Sequence, residues 1–171
     1  GNSVTTIGYQ AFRSCYGFIG KLTIPDSVTT IGNSAFYYCP GLTGSLTIPN
    51  SVTTIETGTF YKCSGFTGRL TIGDSVLTIG TGAFYNCTGL TSELNLPNGV
   101  TSIGVGAFYN CVGFTGSLTI GDSVLTIGTG AFYNCDGLIN VIIADPKKTT
   151  VETRSFIRVG DNNDSSITFY N

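Results

Sequence analysis

Histidine, methionine and tryptophan are absent from this chain of 171 residues. Without histidine, a serine or cysteine nucleophile would need a lysine or a carboxylate as its base, and no such pair stands out. Charged residues make up only 11% of the chain, and 8 Lys+Arg against 10 Asp+Glu leave a net charge of -2. That balance lacks the excess of basic residues that a protein needs to bind the phosphate groups of a nucleic acid. We therefore expect no enzyme, no cofactor, no metal site and no nucleic-acid partner.

Long apolar runs are also absent. No stretch approaches the ~20 apolar residues that a membrane helix needs, and no basic segment followed by an apolar one opens the chain. We expect no transmembrane segment, and a secretion signal or an anchor would lie outside this segment.

What the chain does have is a repeat of 24 residues. Cysteine marks it at Cys15, Cys39, Cys63, Cys87, Cys111 and Cys135. Phenylalanine keeps the same step from Phe12 to Phe156, and isoleucine keeps it from Ile7 to Ile127. Six full periods and a degenerate seventh are present. Residues 67–87 and 115–135 differ at a single position, which indicates that a unit of two repeats was duplicated.

Each period is expected to contain a short strand and a short helical turn. Leu46-Thr47-Ile48 alternates apolar and polar residues as a half-buried strand does, and Pro49 ends it. The same strand is predicted at Leu22-Thr23-Ile24, Leu70-Thr71-Ile72, Leu94-Asn95-Leu96 and Leu118-Thr119-Ile120. Ala35, Phe36 and Cys39 have the i, i+1, i+4 spacing of one helical or 3₁₀ turn. The glycines on either side of this turn, such as Gly80 and Gly65, are expected to supply positive φ angles.

A unit of 24 residues cannot bury its own Leu, Ile, Val, Phe and Cys on all sides, so it must stack on its neighbours. The prediction is an α/β solenoid of about seven coils. Short parallel strands would line the concave face, and the helical turns would lie opposite.

The repeated motif resembles a known family. Leu-xx(x)-Leu-x-Ile-Pro, Val-xx-Ile-Gly and Ala-Phe-xx-Cys are similar to the BspA-like leucine-rich repeat of bacterial cell surfaces, over about residues 2 to 159. Most members have a period of about 23 residues, and the segment from Leu42 to Ile48 is one residue longer here. The resemblance implies a right-handed leucine-rich-repeat solenoid in an extracellular or cell-surface location. It also implies adhesion to a host matrix or surface protein, or to a glycan.

The two ends of the chain differ in character. Residues 1–143 are expected to form the solenoid, and residues 144–171 a degenerate last repeat and C-terminal cap of the same domain. The cap region holds eight of the 18 charged residues: Asp145, Lys147, Lys148, Glu152, Arg154, Arg158, Asp161 and Asp164. Phe156 and Val159 keep the period, and Ile167-Thr168-Phe169 can add an edge strand that the charges protect. At the other end, Asn2 takes the position of Asp26, and we expect further protein or a partner chain to cover it.

Two surface rows are candidate binding sites. The first row, on the exposed face of the strands, consists of Lys21, Thr23, Ser45, Thr47, Arg69, Thr71, Glu93, Asn95, Ser117 and Thr119. The second is a ladder of Tyr37, Tyr61, Tyr85, Tyr109 and Tyr133, which could hold a sugar or a peptide, or could simply pack on itself over the edge of the core. The cysteines are expected to be free, buried thiols that act as small apolar residues.

Two functions of different classes follow. The first is a non-enzymatic adhesion module that presents the strand row to a protein or glycan. The alternative is a structural spacer within a larger surface protein, which the two near-identical copies favour. The interrupted threonine row also suggests ice binding, although Asn95 counts against it.

Overall fold

The computed structural model describes residues 3–157, residue 159 and residues 166–169. Within these residues the chain forms strands and no helix, so the predicted α/β class is wrong and the fold is all-β. The strands are β1 (Thr6–Ile7), β2 (Gly20–Lys21), β3 (Thr30–Ile31), β4 (Leu42–Ile48), β5 (Thr54–Ile55), β6 (Phe66–Ile72), β7 (Thr78–Ile79), β8 (Ser102–Ile103), β9 (Gly116–Ile120), β10 (Thr126–Ile127), β11 (Leu138–Ile143), β12 (Thr150–Val151) and β13 (Ser166–Phe169).

The strands stack in two parallel columns that run along the solenoid. The first column holds two-residue strands, with β12, β10, β8, β7 and β5 side by side and β3 paired with β1. In neighbouring strands of this column, residues that are one repeat apart lie opposite each other, as Thr54 and Thr78 do. The second column holds the longer strands together with the two-residue β2, in two groups of three, β2-β4-β6 and β9-β11-β13. The solenoid is therefore a stack of parallel β-coils, as the resemblance implies.

The number of coils is smaller than predicted. Ile7 and Val151 occupy equivalent positions in β1 and β12, and six repeat lengths separate them. The described chain thus makes about six turns, and the seven coils that we expected are not supported.

The segment that was expected to be helical is a turn with two left-handed residues. Ser34 and Tyr38 have φ angles of 56° and 57°. The amides of Ala35 and Tyr37 donate to carbonyls three residues back within the turn. The amide of Phe36 instead donates to Thr59 O in the next coil, at 2.9 Å, and its even-numbered neighbours do the same. Because every second N–H leaves the turn, a helix, which keeps its N–H groups within one segment, cannot form.

The glycines beside this turn have a different role from the predicted one. The left-handed positions are Gly58, Gly82 and their equivalents within the turn. Gly80 and Gly65 are needed because coils approach closely. An added Cβ at Gly80 would lie 2.7 Å from Glu56 C, and one at Gly65 would lie 2.0 Å from Pro40 O. Backbone contact between coils, rather than positive φ, explains glycine at these positions.

The core consists of columns of identical side chains. Phe84 is fully buried, with ring centroids 5.5 Å from Phe60 and 5.2 Å from Phe108, and the rings are nearly parallel. Phe66 and Phe114 pack edge-on against this stack. Leucine, isoleucine, valine and cysteine columns complete the core. The predicted inward-facing columns are confirmed.

The second column is interrupted at one of its middle coils. The predicted strands at 46–48, 70–72 and 118–120 are present, whereas 94–96 joins no ladder and 22–24 lies just beyond β2. In the middle coil only two isolated bridges remain, Arg69 with Thr91 and Ser92 with Phe114. The coil carries Ser92 with φ 76° where β4 has Gly44, and Asn95 where β4 has Thr47. Both replacements disfavour a regular strand.

The last coil returns to the shorter spacing of the family. Leu138, Val141 and Ile143 are buried and follow Leu-xx-Leu-x-Ile, and Val141 lies opposite Leu118. Phe156 stacks on Phe132 at 5.3 Å, as predicted. The expected edge strand is present as β13, which pairs with β11 in parallel. Asn2 and three of the cap charges, Arg158, Asp161 and Asp164, lie outside the described residues.

We predict that the facing of the side chains sets their contribution to stability. Phe84→Ala removes a ring with phenylalanines on both faces and should lower the free energy of unfolding by about 3–5 kcal/mol. Thr71→Ala on the exposed face should lower it by under ~0.5 kcal/mol. Chemical denaturation of the two variants measures this, and equal losses would contradict the assigned facing.

We also predict that the interruption is visible in amide hydrogen exchange. The amides at 94–96 have no backbone acceptor in a neighbouring coil, so they should exchange faster than those at 46–48, whose segment pairs with β6. Native-state exchange followed by NMR gives both rates in one sample. Equal protection of the two segments would show that the ladder is continuous.

Candidate functional site

The strand face is exposed in the five coils from Lys21 to Thr119. We use this name for the ten residues Lys21, Thr23, Ser45, Thr47, Arg69, Thr71, Glu93, Asn95, Ser117 and Thr119, all of which are exposed. Among the described residues, none of these ten side chains has a hydrogen bond or an ion pair, so they remain available to a partner. The charges are spread out, with Lys21 and Arg69 on one half and Glu93 beyond them.

The tyrosine ladder packs on itself. Neighbouring rings from Tyr37 to Tyr133 lie 4.5–4.8 Å apart, with interplanar angles of 1–14°. Each inner ring therefore has another ring on both faces, and it presents only its edge and hydroxyl to solvent. The guanidinium of Arg13 covers Tyr37 at 5.0 Å from the ring centroid. Of the two interpretations given for this row, self-packing describes its contacts.

A groove nevertheless runs beside the tyrosines. It has a volume of about 430 Å³, and the left-handed glycines Gly82, Gly106 and Gly130 form part of its wall. Thr81, Val105, Thr129 and Arg154 complete its length. Burial raises the pKa of Tyr61 and Tyr85, and the neighbouring tyrosines add to the effect. The groove was not predicted, although glycines recurring every 24 residues next to aromatic residues are a visible signal for it.

The cysteines form a buried column of hydrogen-bonded thiols. Cys87 Sγ donates to Phe60 O in the preceding coil at 3.1 Å, and Cys63 Sγ donates to Phe36 O at 2.9 Å. All six cysteines are free, and all except Cys15 are buried. Burial raises the pKa of Cys63 and Cys135 from 9.0 to about 12. These thiols are therefore protonated near neutral pH and are inert packing groups, as predicted.

No group of three or more His, Cys, Asp or Glu is close enough to hold a metal ion in the part of the chain that the structure describes. The same residues contain no helix of the length and hydropathy that crossing a membrane requires.

Comparison with known families gives one match. The model of the BspA type Leucine rich repeat region matches residues 1–92 and 67–169, with six copies of the repeat. No curated protein matches the chain.

Three solved structures share the fold. A leucine-rich repeat protein from Bacteroides ovatus has a TM-score of 0.72 and 29% identity, over 90% of this chain and 42% of that one. The leucine-rich repeat protein of T. pallidum has a TM-score of 0.71 and 30% identity, over 81% of this chain and 62% of that one. A leucine rich cell surface protein from Faecalibacterium prausnitzii has a TM-score of 0.65 and 24% identity, over all of this chain and 52% of that one. The chain thus spans about half the length of these proteins.

We predict that the folded protein exposes one reactive thiol. A chromogenic disulfide reagent in slightly alkaline buffer should modify Cys15 alone, because burial and the raised pKa protect the other five. After unfolding in denaturant without reductant, all six should react. Fewer than six groups in the unfolded chain would show that disulfides exist, and rapid reaction of all six in the folded protein would contradict the buried column.

Proposed function

The chain belongs to the BspA-type leucine-rich repeat family, and from that premise we propose that it is a non-enzymatic binding and adhesion module of a cell surface or of a secreted protein. Proteins of this repeat family are generally non-enzymatic modules that bind other proteins, and BspA-like members are in general found at the cell surface. For this chain we propose a host matrix protein, a host surface protein or a glycan as the partner.

The observation that carries the proposal is the strand face. Its side chains are exposed and unengaged, and in the coils of β4 and β6 they stand on a backbone that is hydrogen-bonded from one coil to the next. A rigid backbone fixes the spacing of these groups before a partner arrives. Less conformational entropy is then lost on binding than a flexible loop would lose.

The charges on this face would orient a partner. Lys21 lies in β2 and Arg69 in β6, and Glu93 lies one coil beyond Arg69. A partner with an acidic segment opposite the first two groups and a basic group opposite the third would be complementary.

A structural spacer remains the second candidate. It is favoured by the near identity of residues 67–87 and 115–135, because copies that only extend a stack need no distinct binding surface. The same binding experiment separates the two functions.

We predict that charge reversal on the strand face weakens partner binding. The double variant Lys21→Glu and Arg69→Glu should weaken binding to an immobilised matrix protein or arrayed glycan by about tenfold or more. The control is Lys147→Glu, which also replaces a basic side chain with an acidic one. Lys147 is exposed in the turn after β11, away from this face.

Binding that falls in the double variant and persists in the control supports the adhesion module. Binding that is equal in all three proteins places the contact elsewhere and contradicts the strand-face site. No binding above background on the whole panel favours the spacer.

A further inference from the structure

The second column is interrupted at the middle coil, and a further gap lies at 22–24, which pairs with no strand. Residues 46–48 pair with 70–72 in register, Leu46 opposite Leu70 and Ile48 opposite Ile72. The equivalent residues 94–96 pair with neither 70–72 nor 118–120. Among the described residues, no backbone hydrogen bond involving 94–96 is formed with either neighbouring coil.

The junction at 94–96 and the matched junction at 46–48 differ in sequence mainly on one side. Residues 67–87 and 115–135 are identical except for Arg69 and Ser117, so the strands that face 46–48 and 94–96 are the same. The difference lies on the other side of each junction, where Gly44-Ser45-Leu46-Thr47-Ile48 is replaced by Ser92-Glu93-Leu94-Asn95-Leu96. These replacements accompany the opening at the middle coil, although 22–24, which has the same Leu-Thr-Ile as 46–48, pairs with no strand either.

The opening leaves a polar cleft of about 230 Å³ between this coil and β9. It is lined by Leu94, Asn95, Leu96, Asn98, Ser117, Thr119 and Gly121. Within the described part of the chain, the two amide and two hydroxyl side chains of this lining have no hydrogen-bond partner. The unpaired backbone groups of 94–96 lie at the same place, and such groups must find water or another partner.

The matched junction one unit earlier is closed. There Asn50 Oδ1 accepts the amide of Asp74 at 2.8 Å, which ties the two coils together. An added Cβ at Gly73 would lie 2.7 Å from Pro49 O, whereas one at the equivalent Gly121 would find its nearest atom, Asn98 Cα, at 4.0 Å. The same turn residues thus close one junction and leave the other open.

The chemistry of the cleft selects a neutral ligand with many hydroxyl groups. Its lining contains no ionisable side chain, and it offers both donors and acceptors through amides, hydroxyls and backbone groups. Leu96, which is partly buried, supplies an apolar surface beside them. A sugar ring has hydroxyls at its rim and C–H groups on its faces, and therefore matches both parts. The volume is below the roughly 300–1,000 Å³ of sites for drug-sized ligands, so it suits one ring rather than several.

We propose that the cleft between residues 94–98 and 117–121 binds one neutral sugar unit of a glycan. The proposal rests on the proposed binding function and narrows it, since it names the glycan as the ligand class at this part of the strand face. Asn98 and Asn95 would bind ring hydroxyls, and the free backbone groups of 94–96 would complete the site.

The test is an NMR titration of the ¹⁵N-labelled chain with four separate sugars: glucose, galactose, mannose and N-acetylglucosamine. At least one sugar should shift the amide signals of 94–96 and 117–119 in a saturable way. Asn98→Ala removes hydrogen bonds between uncharged groups and should raise the dissociation constant of the sugar by about tenfold. Asn50→Ala, the same change at the closed junction, should leave it unchanged.

A second variant closes the cleft. Ser92→Gly, Asn95→Thr and Leu96→Ile together give the middle coil the residues of β4 at these positions, and they should restore the ladder and abolish the shifts. If this variant fails to fold, the comparison of Asn98→Ala with Asn50→Ala decides alone.

Three results would overturn the proposal: no saturable shift with any of the four sugars, equal shifts at 46–48 and 70–72, or equal affinity in Asn98→Ala and the parent chain. These results are separate from the partner-binding test, which uses Lys21 and Arg69 at other coils. Loss of the sugar site with matrix-protein binding retained would remove this proposal and leave the adhesion module standing.

Discussion

No single coil of this chain can satisfy its own backbone. In each turn every second N–H points out of its coil, and its acceptor is a carbonyl of the next one, as in the bond from Phe36 N to Thr59 O. The thiol column repeats this dependence in side chains, since Cys87 donates to a carbonyl of the preceding coil. Buried polar groups without partners are costly, so an isolated coil is unstable and a stack is stable. The parallel strands, the stacked phenylalanines and the close approach of glycines such as Gly80 all follow from this requirement.

The same requirement determines where the chain can interact. Side chains that point inward are committed to the stack, and the tyrosine rings are committed to one another along their faces. The ten side chains of the strand face are free, and they repeat at a spacing that the backbone sets. Where the middle coil departs from the common sequence, backbone groups at 94–96 are released as well. The candidate binding groups therefore lie on the strand face and in the cleft beside Asn98. They are the groups that take no part in contacts between coils.

Much of the fold is readable from the sequence, because one interval of 24 residues governs every core column. Phe84 and Cys87 are buried since their equivalents in adjacent coils occupy the same place. The turn around Phe36 is predicted as helical because its i, i+1, i+4 spacing fits a helix as well as a turn. Glycine and asparagine at the equivalents of Ser34 and Tyr38, as in Gly82 and Asn86, are the signal for its left-handed residues. The exposure of the strand face follows from simple alternation. The cleft does not, since it depends on whether two coils form a ladder, and Leu22-Thr23-Ile24 forms none although it has the same residues as 46–48. That outcome is decided by geometry across a junction rather than by either segment alone.

The central claim is that the coils are equivalent units whose stability comes from contact with their neighbours. Inserting a second copy of residues 67–114 directly after residue 114 tests it, because the copy ends where a near-identical unit begins. The account predicts a folded chain whose denaturant m-value and free energy of unfolding both rise, since more surface is buried in one cooperative stack. An unchanged m-value, with the added residues giving the spectrum of an unfolded segment, would contradict it.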